Sequence, residues 1–199
     1  MRATLLLTTF LLMLPFASAG AQGGEIIVAG DPALFECYVS DDFAVITTVY
    51  VIHTNAAWAN GARFSVTGLD SYSGGGMTMT IVSESAGSNL AIGNVETGVE
   101  VVYVGCKPLP WVIYQIDYLG LGTSAACSKI VPAPHHEDSM IEAIDCNGNT
   151  LAANCAGVYV NGDYNSCYCH NGAGCVPTTV PAEQTTWGEI KALYRISAE

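Results

Sequence analysis

Basic residues are scarce in this sequence: Lys and Arg together number 6, against 18 Asp and Glu, among 199 residues. Binding to nucleic acid depends on Lys and Arg that neutralise phosphates, so a formal net charge of −12 argues against nucleic acid as a partner. An anionic membrane surface is disfavoured for the same reason. Charged residues make up only 12% of the chain and apolar residues 50%, the reverse of a disordered composition. We therefore expect a folded domain with short additional segments.

The first 21 residues have the features of a secretory signal peptide. Arg2 provides a short positive start, residues 5–16 are apolar, and small residues at 17–21 offer two cleavage sites. The apolar stretch is shorter than the roughly 20 residues that a retained membrane-spanning helix needs. We therefore expect a secreted protein, in the periplasm, at the cell surface or outside the cell, with no transmembrane segment in the mature chain.

Eight cysteines lie beyond this leader, and an even number of cysteines in an exported chain predicts disulfide bonds. The connectivity cannot be derived from the sequence. One candidate is a short loop closed by Cys146 and Cys155, which bracket an Asn-Gly-Asn segment. Cys167 and Cys169 are next-but-one neighbours, and we expect them to reach different partners. The cysteines are Cys37, Cys106, Cys127, Cys146, Cys155, Cys167, Cys169 and Cys175.

From residue 25 to about residue 162 the chain consists of short apolar runs separated by Gly, Asn, Asp and Ser, without a helical period. Apolar and polar residues alternate most clearly at 63–67 and 77–81, as expected for strands with one buried face. The pattern predicts an all-β domain, a β-sandwich of two packed antiparallel sheets over residues 25–162. The candidate strands are 26–28, 34–39, 44–53, 62–67, 77–82, 99–106, 111–119, 126–131, 141–146 and 157–160.

The end of the chain has a different composition. Residues 163–184 are expected to form a disulfide-rich loop followed by a Thr/Pro linker, and residues 185–199 a short amphipathic helix that begins with a capping box of Thr186 and Glu189. So short a helix is marginal alone, so it should dock, either on its own domain or on a surface-assembly partner. Its docking side would consist of Trp187, Ile190, Leu193 and Tyr194.

Five segments resemble uncharacterised secreted bacterial proteins that combine an immunoglobulin-like or cohesin-like sandwich with a tail of the TTWGxIKALYR type. The resemblance implies a sandwich fold and no activity. The first two segments also resemble cohesin-type sandwiches, whose members bind other proteins, which implies a protein partner or a surface or matrix component. The segments are residues 61–69, 88–106, 143–146, 158–162 and 185–195.

Four consecutive residues, His135, His136, Glu137 and Asp138, are possible metal ligands, and imidazole with carboxylate suits zinc or copper. Neighbouring residues of an extended segment point in opposite directions, so we expect about two of them to face one ion. His135 and His136 are the strongest candidates, and a further ligand would come from elsewhere, for example His53 or His170. The alternative is an exposed polar turn.

Two other patterns are incomplete versions of known sites. Asp145, Asn147 and Asn149 match the first three oxygen ligands of a calcium loop, but Thr150 and Ala156 stand where Gly and Glu are required, which favours a solvated turn. The Cys-Tyr-Cys-His run at 167–170 is one residue too short for haem attachment. We expect no cofactor, with a divalent metal as the remaining option.

The sequence contains no GxSxG, SxxK or HExxH motif, so we do not expect an enzyme. The predicted function is that of a secreted, disulfide-stabilised, non-catalytic sandwich that acts as an extracellular structural or protein-interaction module. The alternative is a small extracellular protein that binds metal through residues 135–138, or carbohydrate through aromatic residues in loops, of which Trp58 and Tyr72 are the best candidates.

Overall fold

Segments rich in β-branched and aromatic residues form thirteen strands in a computed structural model, which describes residues 23–33, 36–69, 76–162, 167 and 173–174. These residues contain no helix. The strands are β1 (Glu25–Ala29), β2 (Tyr38–Val39), β3 (Ile46–Thr54), β4 (Trp58–Leu69), β5 (Thr80–Ser85), β6 (Leu90–Asn94), β7 (Gly98–Pro108), β8 (Trp111–Leu119), β9 (Ser128–Ala133), β10 (Glu142–Ile144), β11 (Thr150–Ala152), β12 (Asn154–Val160) and β13 (Ala173–Gly174).

The strands form two layers. One has the order β5-β8-β3-β1-β12, and the other is built from β6, β7, β4, β10 and β11 in that order. Strand β4 pairs with β7 and β10 along its first part and with β9 along its second, and β9 also pairs with β12 of the first layer. The predicted sandwich is confirmed. Its pairs are antiparallel apart from β1 and β2, which each lie parallel to β12.

The core lies between the layers, and the alternation seen in the sequence determines which side chains enter it. On β4, Ala62, Phe64 and Val66 point inward and are buried, while the alternate residues Arg63 and Thr67 lie on the other face and are only half-buried. Phe64 meets Tyr114 of β8 edge to face, with ring centroids 6.3 Å apart. Full burial of a side chain such as Phe64 or Val66 stabilises the fold by about 1.5–3 kcal/mol.

Some strands differ from the prediction. Strands β6, β11 and β13 were not expected. The sequence did not predict β6, in part because this strand contains Gly93, whose φ of +93° is atypical of a strand. In the expected strand 34–39 the described residues pair only at Tyr38 and Val39, and the strand expected at 77–82 begins at Thr80.

Disulfide bonds are present, as the cysteine count predicts. Cys106 pairs with Cys146, and Cys127 pairs with Cys167, each bond joining residues 40 apart in sequence. The suggested loop between Cys146 and Cys155 is therefore wrong, because Cys146 pairs with Cys106 instead. Strands β7 and β10 both pair with β4, which brings Cys106 near the segment after β10. Cys37 and Cys155 each also belong to a disulfide bond. Cys169 and Cys175 lie outside the described residues.

The expected signal peptide, the linker and the tail helix with Trp187, Ile190, Leu193 and Tyr194 also lie outside the described residues. Within the described part of the chain, no helix has the length and apolar character needed to cross a membrane.

Candidate functional site

The outer side of the second layer carries an apolar row. Leu90 on β6, Val102 on β7, Gly61 on β4 and Ile144 on β10 are register partners, so they lie side by side across four strands. Leu90 is 69% exposed and Val102 38%. Gly61 contributes no side chain, and a Cβ there would press on the β7 backbone and on the Ile144 side chain.

The next row of the same surface is mixed. Ile92 on β6 faces Glu100 on β7, then Arg63 on β4 and Glu142 on β10. Ile92 is 75% exposed, which makes it one of the most exposed large apolar side chains of the described residues. We call the surface formed by Leu90, Ile92, Val102 and Val104 the β6–β7 face.

A bulge in β7 completes this surface. Ala59 pairs with Lys107, yet Gly61 pairs with Val102, so four residues of β7 stand opposite one residue of β4. Within the bulge Tyr103 points into the core and Val104 points to solvent, while Gly105 adopts φ of +80°. The Cys106–Cys146 disulfide fixes the end of the bulge to the segment that follows β10.

Acidic groups border the β6–β7 face. Glu100 and Glu142 flank Arg63 in the mixed row. The guanidinium of Arg63 donates to Glu137 Oε2 at 2.9 Å and to Asp138 Oδ1 at 3.0 Å, so its charge is already paired. The edge of the apolar surface is therefore negative.

The metal candidates His135 and His136 are brought together. They lie at a turn after β9, not on an extended segment, so the expectation that their side chains diverge is wrong: the ring centroids are 4.4 Å apart. His135 is buried and His136 exposed. Potential ligand atoms of His135, His136 and Glu137 all lie within 4.8 Å of one another.

His53, suggested as a further ligand, has a different role. It is fully buried, with Nε2 2.6 Å from the Gly23 carbonyl oxygen and Nδ1 2.8 Å from the Tyr103 hydroxyl. A carbonyl only accepts, so Nε2 carries the proton and Nδ1 accepts from Tyr103. Burial lowers the pKa of His53, and the hydrogen bond to Gly23 opposes that shift only in part. His170 lies outside the described residues.

Trp58 stands beside a cavity of about 280 Å³ at the end of the sandwich. The residue begins β4, not a loop as expected, and it is 56% exposed. His53, Asp145 and Asn147 are among the residues that line this cavity. Tyr72, the other aromatic candidate, lies outside the described residues.

The suggested calcium ligands form a self-contained turn. Asp145 Oδ1 accepts the backbone N–H groups of Asn147 and Asn149 at 2.8 Å each, and Oδ2 accepts from the Asn149 side chain at 2.8 Å. Hydrogen bonds from Asn149 lower the pKa of the Asp145 carboxyl. The turn needs no ion to satisfy this carboxylate.

Asp41 has a structural role that sequence reasoning missed. Asp41 is 3% exposed, and its carboxylate accepts four successive backbone N–H groups, those of residues 121–124, at 2.7–3.1 Å. Burial raises its pKa, but hydrogen bonds from Ser124, Gly122 and Leu121 outweigh that effect and lower the pKa to about 2. Asp41 organises a loop next to another exposed apolar group, which includes Phe43, Val45, Ile46 and Leu121.

No protein-family model and no curated protein matches this chain. Solved structures with a similar fold include the sixth cohesin of scaffoldin B from Acetivibrio cellulolyticus, in complex with a Cel5 dockerin. That match has 13% sequence identity, covers 70% of this chain and 98% of the cohesin, and has a TM-score of 0.48.

A cohesin module from a family 33 glycoside hydrolase of Clostridium perfringens is also similar, at 8% identity and a TM-score of 0.43, over 70% of this chain and 98% of that module. The β6–β7 face is an outer sheet surface of this sandwich, and the His135–Glu137 turn contacts Arg63 of β4 as well as Thr97 and Gly98 at the start of β7.

Proposed function

We propose that this chain is a secreted, non-catalytic interaction module that binds a protein partner through the β6–β7 face, at the cell surface or outside the cell. The partner presents apolar side chains bordered by Lys or Arg. The observation that carries the proposal is the row of exposed apolar side chains across β6 and β7, led by Leu90 and Ile92.

The outer side of an antiparallel sheet is normally polar because water covers it. Here Leu90, Ile92 and Val104 are all more than 60% exposed on adjacent strands. Contiguous apolar surface of this kind marks interaction sites in soluble proteins, since covering it gains about 25 cal/mol for each Å² removed from water. A complex in which a protein surface covers these side chains would therefore be stabilised by their burial.

The charge of the surroundings indicates the partner's chemistry. The chain carries a formal charge of −12, and Glu100 and Glu142 border the apolar row while the nearby Arg63 is neutralised by Glu137 and Asp138. A partner with Lys or Arg around an apolar centre complements this pattern, and complementary rim charges accelerate association.

A non-catalytic role is supported by how the polar groups of the described residues are used. His53 has hydrogen bonds at both ring nitrogens, and Asp41 holds a loop through four backbone N–H groups. Asp117 accepts from Thr48, Ser83 and Gln115. Each of these groups stabilises the fold through these hydrogen bonds.

The tail of residues 185–199 is the second part of the proposal. Its apolar side of Trp187, Ile190, Leu193 and Tyr194 would dock the module to an export or surface-assembly partner through the preceding linker. Deletion of 185–199 should abolish surface retention and leave the melting temperature of the sandwich unchanged. Loss of stability on deletion would instead indicate that the tail covers the sandwich itself.

The main experiment places a photo-crosslinking amino acid at position 92 of the full chain, in cells of the organism that secretes it. The matched control position is 82, because Val82 is an exposed apolar residue on β5 of the other layer. We expect one protein to be captured from position 92, not from 82, and capture to be lost when Leu90→Arg is added. The captured protein is then purified and its affinity measured.

Capture from position 82 as efficiently as from 92 would contradict the proposal, and so would capture that survives Leu90→Arg. A third crosslinker at position 43 tests the other exposed apolar group. If only position 43 captures a partner, the interaction surface is the loop held by Asp41 and not the β6–β7 face.

Carbohydrate binding at Trp58 is a second candidate, favoured by an indole that is 56% exposed beside a cavity lined by Asp145 and Asn147. Flat aromatic rings stack on sugars, and carboxylate and amide groups bind hydroxyls. Retention on isolated polysaccharide that is lost in Trp58→Ala, and kept in Ile92→Arg, would favour this function over the protein-interaction module.

A further inference from the structure

A turn between β9 and β10 brings two imidazoles and a carboxylate into one cluster. We propose that His135, His136 and Glu137 bind one divalent transition-metal ion of the zinc or copper class, with water completing its coordination. This inference goes beyond the proposed function and does not depend on it. Nitrogen and oxygen ligands in this combination suit both metals.

His136 is held in the form that a metal needs. Its Nδ1 lies 2.6 Å from the carbonyl oxygen of Thr97, and because a carbonyl can only accept, Nδ1 carries the proton. The exposed Nε2 is therefore left with its lone pair. A hydrogen bond from the second ring nitrogen to a carbonyl is the usual way in which proteins orient a metal-binding histidine.

Glu137 is oriented in a similar way by a charged neighbour. Arg63 binds Oε2 at 2.9 Å, which leaves Oε1 on the side of His136, 3.6 Å from its Nε2. Metal bonds of about 2.0–2.2 Å at a tetrahedral angle place ligand atoms about 3.3–3.6 Å apart. These two atoms are thus already separated by the distance that one ion requires.

His135 supplies the third ligand. Its Nδ1 accepts the backbone N–H of Glu137 at 3.3 Å, so the single lone pair of this nitrogen would exchange that long hydrogen bond for a bond to the ion. The other edge of the ring rests on Gly98, where a Cβ would overlap it. A shift of about 1 Å would bring the three ligand atoms, now within 4.8 Å of one another, to bonding distance of a common ion.

A buried polar atom without a hydrogen-bond partner lies beside the cluster. Asp138 Oδ2 is buried and makes no hydrogen bond, and it lies 3.8 Å from His135 Nδ1. Leaving such an oxygen unsatisfied costs about 1–3 kcal/mol. A bound cation, or a water on that cation, would supply this oxygen with a partner.

The test titrates Zn²⁺ into the full, untagged chain by calorimetry in a non-coordinating buffer. We expect one ion per chain, and at least a tenfold loss of affinity in His136→Asn, whose exposed side chain can change without disturbing the core. Two control variants should keep the affinity: Asp42→Asn, an exposed carboxylate elsewhere, and His170→Asn. Melting temperatures verify that all variants fold.

A second measurement separates this site from other binding. Bound Cu²⁺ should show an electron paramagnetic resonance spectrum with coupling to two imidazole nitrogens, reduced to one in His136→Asn. Absence of Zn²⁺ and Cu²⁺ binding would overturn the proposal. So would loss of binding in His170→Asn with normal binding in His136→Asn, because the ion would then lie elsewhere.

Discussion

The two layers of the sandwich differ in part of the surface that faces away from the core, although the first layer also exposes Ile46, Val82 and Val112. On β3, β8 and β5 the outward register partners Thr48, Asp117 and Ser83 form a hydrogen-bonded row, with Thr48 Oγ1 at 2.7 Å and Ser83 Oγ at 2.5 Å from the Asp117 carboxylate. On the other layer the corresponding surface carries Leu90, Ile92, Val102 and Val104.

Both layers meet the same core and have the same need for an inward apolar face, so the fold alone does not explain the difference. A polar row is satisfied by its own members and by water, whereas an apolar row gains stability only when another surface covers it. The polar row around Asp117 therefore needs no partner, whereas the β6–β7 face is suited to binding one. The predictions below test that distinction.

The largest expected effect is on stability and comes from the disulfides. Cys106–Cys146 and Cys127–Cys167 each join residues 40 apart, so loss of either should lower the free energy of unfolding by about 4 kcal/mol through the entropy of the unfolded chain. Denaturant titration of the Cys106→Ala/Cys146→Ala and Cys127→Ala/Cys167→Ala variants measures this. Only the first pair adjoins the β6–β7 face, so only its loss should reduce crosslinking from position 92.

The next effect is on binding. Leu90→Arg combined with Ile92→Arg should weaken the partner's affinity at least 100-fold, about 2.7 kcal/mol, because two charges would be buried without partners. Both side chains are exposed in the free chain, so its free energy of unfolding should change by less than about 0.5 kcal/mol. Val82→Arg is the control, and an equal loss of affinity there would remove the distinction between the layers.

Asp117→Ala tests the polar layer. The carboxylate accepts from Ser83, Thr48 and Gln115, and its removal should destabilise the chain by about 1–2 kcal/mol at pH 7 with no change in partner affinity. Hydrogen bonds from Ser83 and Thr48 lower the pKa of Asp117, so its contribution is present above the unfolded pKa of about 3.8 and declines as the pH falls below it. The difference in free energy of unfolding between wild type and variant, measured by denaturation at pH 7 and pH 3, should be smaller at pH 3.

Period-two alternation was sufficient to predict the architecture, because it is a local property of each strand. Residues 63–67 and 111–119 alternate or run apolar as buried strands do, and both form strands. The same signal failed to identify the β6–β7 face. In the run from Val99 to Val104 five of six residues are apolar, so periodicity does not tell that Val101 and Tyr103 enter the core while Val102 and Val104 face solvent.

The candidate site depended on contacts between distant segments. That Cys106 meets Cys146 follows from the pairing of β7 and β10 with β4, which no local pattern encodes. His135 and His136 were selected by residue type and stay a prediction as metal ligands, and their relative direction depends on the turn after β9, which the local sequence does not specify. The role of Asp41 is not visible in the local sequence, because its four N–H donors lie 80–83 residues away.

The smallest expected effect concerns the charged border of the apolar row. Glu100→Gln removes one negative charge beside Ile92 and should weaken the partner's affinity about threefold, mainly through slower association, because rim charges act at long range. The effect should fade as salt rises towards 0.5 M, since screening shortens the reach of the carboxylate. Asp42→Asn makes the same change of net charge away from this surface and should alter affinity less. Equal effects of the two variants, measured by stopped-flow association with the captured partner, would mean that the overall charge of the chain attracts the partner and that the negative border of the β6–β7 face has no specific role.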